Sequence, residues 1–78
     1  MDTNLLKRIS INPEICHGKP TIRNTRYMVE SILGYLASGE SIESILTDFP
    51  DLVYEDILAC FAFAAKSMHF KNMEIPAA

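Results

Sequence analysis

Apolar residues in the second half of the chain recur at helical spacing; those in the first third do not. Val29, Ile32, Leu33 and Leu36 fall at offsets of three, four and seven, one face of a helix. Gly39 is expected to stop that helix. Ser41 is placed to cap the next, whose apolar stripe is Ile42, Ile45, Leu46 and Phe49, with Glu43 in its dipole-favoured first turn. Pro50 ends it, because proline pushes its predecessor out of the α region. A third helix is predicted from Tyr54 to Phe70. Glu55 and Asp56 open it, and Lys66, His69 and Lys71 lie towards its end, the polarity the macrodipole favours. Short turns between these helices, the second pair joined by F-P-D-L, predict a helix-turn-helix arrangement.

The first third reads as short extended pieces between turns. Arg8-Ile9-Ser10-Ile11 alternate polar and apolar, as a half-buried strand does. Asn12-Pro13 is a start signal for a single helical turn, and Gly18 can close that turn with a positive φ. Thr21-Ile22 and Arg26-Tyr27-Met28-Val29 read as the two arms of a tight connection around Arg23-Asn24-Thr25. Asn24 is expected at the left-handed bend, since asparagine tolerates that region best after glycine. The expected fold is therefore mainly α with a small N-terminal β arm or hairpin, and a three-helix, winged or homeodomain-like helix-turn-helix body. Residues 1–78 form one domain: arm and turns over 1–28, helices over 29–70, a C-terminal tail over 71–78.

The third helix is apolar over more than one face, through Ile57, Leu58, Phe61, Ala62, Phe63, Ala64, Ala65 and Met68. Such a helix must be covered nearly all round, and two short helices with a small sheet cover only part of it. The remainder would be an exposed patch of the size that marks an interface. Small residues at Ala59, Ala62, Ala64 and Ala65 would admit another helix closely. Homodimerisation is expected, with Ile57, Phe61, Ala64, Ala65 and Met68 at the interface; the competing reading is the buried central helix of a monomer.

Length supports a second subunit. At 78 residues the chain is one small domain, and a core this size is marginal without disulfides, metal or oligomerisation. Its 49% hydrophobic and 22% charged residues place it among globular rather than disordered chains. The longest apolar run, Ile57 to Ala65, has nine residues; a membrane span needs about 20. The start M-D-T-N-L-L-K-R lacks a cationic segment followed by an apolar one, and the two cysteines read as reduced thiols. A cytoplasmic protein with no membrane partner is expected.

The net charge of −3 hides a strong asymmetry. Residues 1–29 carry five cations (Lys7, Arg8, Lys19, Arg23, Arg26) against Asp2 and Glu14. Residues 30–65 carry seven anions (Glu30, Glu40, Glu43, Asp48, Asp51, Glu55, Asp56) and no cation. In a helix-turn-helix the start of the second helix reads bases, and here Glu55 and Asp56 would oppose the phosphates. The basic arm is the better DNA-binding candidate: Lys7, Arg8, Lys19, Arg23 and Arg26, with Thr25 beside them. A two-stranded ribbon also fits the major groove. Equally weighted is the reading in which Arg23 and Arg26 pair with acids across the domain or on a partner chain.

Enzymatic readings find little footing. Cys16 and His17 are adjacent, so their side chains diverge, and neither C-x-x-C nor H-x-x-x-H spacing occurs. The carboxylates are scattered along expected helix surfaces. No catalytic residue, metal, cofactor or small-molecule substrate is expected.

N-P-E-I-C-H-G-K-P-T-I-R-N-T-R over residues 12–26 resembles the signature of the bacterial family called domain of unknown function 433, whose core is G-K-P-x-I-x-G-T-R followed by a V-x-x-I-L helix. The similarity continues through Y-L-A-S-G-E-S-I-E-S-I-L-T-D-F-P-D-L, residues 35–52, and E-D-I-L-A-C-F-A-F-A-A, residues 55–65. What the resemblance implies is a β arm with a helix-turn-helix, and a role like that of VapB-type antitoxins. Such proteins bind and silence a PIN-like nuclease toxin and repress their own operator DNA as dimers. Three positions depart from the pattern: Asn24 stands for glycine, Met28 for proline or threonine, and Val53 for a capping threonine or serine. Valine accepts no N–H bond, and Asp51 is expected to take over with an earlier helix start. Under this reading the acidic segment faces the toxin, and Phe70, Met73 and Ile75 of the tail are its apolar anchors. The competing class is a dimeric protein-interaction adaptor without nucleic-acid binding.

Overall fold

A computed structural model describes residues 3–68. The chain runs α1 (Thr3–Leu6), β1 (Ile9–Ser10), a 3-10 turn (Cys16–Gly18), β2 (Thr21–Ile22), α2 (Val29–Ala37), α3 (Ile42–Asp48) and α4 (Tyr54–Ser67). It is a mainly helical domain with a two-strand antiparallel hairpin, Ile9 opposite Ile22 and Ser10 opposite Thr21.

Much of the local structure follows the sequence cues. Asn12 accepts the Glu14 N–H on its side chain and the Ile15 N–H on its carbonyl, and Gly18 ends the following turn at φ 80°. Arg23 and Asn24 both lie in the left-handed region, at φ 48° and 57°, where the chain reverses. The Thr25 N–H returns to the Ile22 carbonyl, and a bridge joins Thr21 to Met28. α2 buries Val29 and Ile32, and Gly39 stops it at φ 101°. The Ser41 hydroxyl caps α3 by accepting the Ser44 N–H at 3.0 Å.

Three expectations are corrected. There are four helices among the described residues, because the N-terminal T-N-L-L forms a single turn. Four residues are too few to hold a helix in water; this turn forms against α4, on which it packs. The strand expected over residues 8–11 is limited to Ile9–Ser10. α4 ends at Ser67 rather than Phe70, and Phe70 lies outside the described residues.

One apolar core sits where the hairpin, α2, α3 and α4 meet. Ile22, Val29, Ile32, Ile45, Leu52, Ile57 and Cys60 are buried together, with Tyr27, Leu33, Leu36, Phe49 and Phe63 closing its edges. The Phe49 ring stacks on Tyr35 and meets Tyr27 edge-on, at 5.7 and 5.6 Å, which pins the turn between α3 and α4 to α2. No helix among the described residues is long and apolar enough to cross a membrane.

Candidate functional site

The strongest polar arrangement among the described residues centres on Asp56, in the first turn of α4. Its side chain is fully buried, yet both oxygens are saturated. Oδ1 accepts from Arg8 Nη1 and Arg23 Nε, each at 3.1 Å. Oδ2 accepts from Arg23 Nη2 at 2.9 Å and from the Val53 N–H at 3.0 Å. Arg23 thus grips the carboxylate with a two-pronged fork, and its Nη2 also donates to the Asp51 carbonyl at 3.0 Å. Burial alone would push the Asp56 carboxyl up; the bonds from Arg23, Val53 and Arg8 outweigh it and hold the group below its usual range. The same bond, reinforced by the Asp56 charge, raises the Arg23 guanidinium further.

This junction also caps α4. Val53 occupies the cap position and has no side-chain acceptor, so the Asp56 N–H bonds the Val53 carbonyl while the Asp56 carboxylate reaches back to the Val53 N–H. That is one half of a capping box. The expectation that Asp51 would start the helix earlier is therefore corrected. Asp51 instead accepts the Tyr27 hydroxyl at 3.3 Å, and α4 begins at Tyr54.

The arm cations are gathered, but mostly engaged. Arg8 and Arg23 are committed to Asp56, with side chains 34% and 41% exposed, so only their outer edges face solvent. Lys19 pairs with Glu30 at 2.8 Å on the open surface, and the contact raises the ammonium above its ordinary value. Thr25 is spent inside the turn, its hydroxyl donating to the Ile22 carbonyl and accepting the Tyr27 N–H. Lys7 and Arg26 are exposed and have no ion pair among the described residues. Arg26, Glu14, Cys16, Asn24 and Thr25 line a polar cleft of about 220 Å³.

The α4 interface candidates divide. Phe61, Ala65 and Met68 are exposed. Ile57 is not: it is fully buried in the chain's own core, and its proposed interface role is withdrawn. Ala64 is half-buried and joins Val29, Leu33, Phe63 and Met68 around an apolar groove of about 370 Å³ between α2 and α4. Phe70, Met73 and Ile75 lie outside the described residues.

Sequence reasoning offered pairing of Arg23 with an acid across the domain but missed Asp56 as that partner, reading it as a first-turn anion of the acidic segment. The available signal was an acidic residue at the third helical position behind a cap residue that cannot accept. It also missed Tyr54, exposed on the same side of α4 as Phe61. The thiols differ by position: Cys16 is half-buried in its turn, whereas Cys60 is sealed in the core. Burial, with the Asp56 charge nearby, pushes the Cys60 thiol up to about 12, so it stays protonated and packs as a small hydrophobe. Among the described residues no group of three His, Cys, Asp or Glu is placed to hold a metal.

Comparison with known proteins places this fold. No curated protein matches the chain. A crystal structure of a DUF433 member protein from Anabaena variabilis is similar to it at 31% identity and a TM-score of 0.74. The match covers 82% of this chain and 63% of that one, so the chain spans less than two thirds of that relative's length. The family model described as protein of unknown function (DUF433) matches residues 9–64, the stretch holding the hairpin, the Arg23–Asp56 pair and most of α4. The chain belongs to the DUF433 family.

Proposed function

We propose that this protein is a non-enzymatic, antitoxin-like regulator: a homodimer that binds and neutralises a PIN-like toxin and touches operator DNA only through its arm. The observation carrying this reading is the outward acidity of the helical body. Of the seven anions over residues 30–65, Asp56 is consumed inside and Glu30 is paired with Lys19. Glu40, Glu43, Asp48, Asp51 and Glu55 are exposed, and no cation falls between them in the sequence. A nuclease that binds RNA presents a cationic surface, and these carboxylates complement it. In this reading α3 and α4, joined through residues 49–53, form the helix-turn-helix pair, with α4 too acidic at its start to read a groove.

Co-expression with the product of the neighbouring gene tests it. A complex that weakens when Glu43 and Asp48 are both changed to lysine supports the reading; absence of a complex, or indifference to the charge reversal, overturns it.

The adaptor reading, without nucleic acid, is favoured by one specific observation: three of the five arm cations already have carboxylate partners. DNA contact then falls to Lys7 and Arg26. Binding to upstream DNA across a salt series separates the two. Phosphate contacts make affinity fall steeply with salt, and an Arg26→Ala chain that binds as tightly as the parent favours the adaptor.

A further inference from the structure

α4 carries an apolar stripe that the described residues leave largely exposed, and its order along the helix is its own complement. Tyr54, Leu58, Phe61, Ala65 and Met68 follow one another at spacings of four, three, four and three, the repeat of a helix–helix seam. Tyr54, Phe61 and Met68 are 51%, 42% and 56% exposed, Ala65 is exposed and Leu58 half-buried. The neighbouring face of the same helix is occupied by Ile57 and Cys60 in the core, so the stripe is distinct from what the domain uses to fold.

We propose that a second copy of this chain docks on the stripe with its α4 antiparallel, Phe61 meeting Phe61 across a twofold axis. The midpoint of the stripe is Phe61, so reversing the direction of one helix sets Tyr54 against Met68 and Leu58 against Ala65. Away from the Phe61 pair on the axis, each larger side chain then meets a smaller or more adaptable one, and the Tyr54–Met68 pairs place sulfur against an aromatic ring. A twofold interface must be self-complementary in this way. A parallel pairing would instead put Tyr54 on Tyr54 and Ala65 on Ala65, crowding one end and leaving a gap near the other.

Charge selects the same direction. Glu55 and Lys66, at opposite ends of α4, lie on one side of the stripe, eleven residues or about three turns apart. An antiparallel twofold keeps that side common to both helices and brings Glu55 of each beside Lys66 of the other. It also sets each helix start against the other's end, which the macrodipoles favour. Parallel docking would bring the two acidic first turns to the same level. The seam spans about 21 Å, long enough to cover the exposed rings, and it adds apolar burial that so small a core lacks alone. The inference rests on the homodimer part of the proposed function and is independent of toxin or DNA.

Light scattering and cysteine cross-linking on the full chain, in a Cys16→Ser background, test it. The expected results are a mass twice that of the chain, reduced to one chain by Phe61→Asp. A disulfide should link two Phe61→Cys chains, and a mixed disulfide should form between Tyr54→Cys and Met68→Cys chains. Glu55→Lys is expected to weaken the dimer, and adding Lys66→Glu to restore it. A single-chain mass at every concentration overturns the proposal. So does a Tyr54→Cys chain that links to itself, which marks parallel docking, and so does a doubled mass that ignores Phe61→Asp, which marks another surface. If Phe61→Asp loses its helical circular dichroism, the cross-links alone decide. Failure here leaves toxin capture intact, and loss of toxin capture leaves these cross-links intact.

Discussion

Two carboxylates, Glu30 and Asp56, tie the N-terminal segment to the helices through three ion pairs, and they share chemistry but not surroundings. Glu30 holds Lys19 at 2.8 Å with both side chains more than half exposed. Asp56 holds Arg23 at 2.9 Å and Arg8 at 3.1 Å with its own side chain fully buried. The shorter contact is the weaker one. Exposed partners give up little water and gain little, and salt screens what remains. The buried carboxylate has already lost its hydration, so each of its donors is needed, and removing any of them leaves a cost that water cannot repair. The difference teaches where the arm is anchored: at the start of α4, and only loosely along α2.

The largest effect that can break this contrast comes from Asp56→Ala. It removes the cap of α4 and the charge-assisted bonds to both arginines, a loss of about 3 kcal/mol. A domain of this length has roughly 4–12 kcal/mol in total, so the denaturation midpoint is expected to fall markedly. A midpoint within error of the parent's would show that the junction is an ornament.

Acid supplies a second, graded probe. The folded Asp56 carboxyl lies below its ordinary value, so the stabilisation it provides is complete above the unfolded value of about 3.9. It is lost as pH falls through the folded value. The stability gap between the parent and Asp56→Asn should therefore be constant near neutrality and shrink below about pH 4. A gap that does not narrow in acid would mean that the carboxylate's charge is not what binds the arginines.

A smaller change sharpens the junction rather than breaking it. Val53→Thr supplies the missing acceptor at the cap position, completing the box with Asp56. Val53 is 45% exposed, so the exchange sacrifices little packing. A gain of about 1 kcal/mol in denaturant unfolding is expected; no gain would mean that the bond the Asp56 N–H makes to the Val53 carbonyl is as good as one to a threonine hydroxyl.

The junction also marks what the sequence could and could not disclose. Local chemistry was legible: the Ser41 cap, the Asn12 turn, the left-handed Asn24 and the Gly39 stop all depend on residues a few positions apart. The arm's cations could be counted, but not their partners. Asp56 is 33 residues from Arg23 and 48 from Arg8, and pairing over such separations leaves no periodic trace. α1 was invisible because four residues have no period of their own and gain their helical turn from α4. α4 failed differently. A helix apolar on several faces announces that it is buried or docked without saying which face does which, so Ile57 and Phe61 read alike although one closes the core and the other faces out.

The least effect is expected from Lys19→Ala, and its smallness is the point. Its ammonium is raised by Glu30, which registers that the two charges attract. Attraction between exposed groups is nearly cancelled by retained hydration and by the entropy of holding two long side chains together. Denaturation curves of Lys19→Ala and the parent should overlay at moderate salt, with any separation confined to low ionic strength, where the screening length grows. Asp56→Ala, in contrast, should keep its deficit in high salt, because ions do not enter a buried carboxylate's site. Measuring both chains along one salt series thus separates the anchors by mechanism. If the Lys19→Ala deficit were large and persisted in salt, the second contact would have to be counted as a true fastening of the arm to α2.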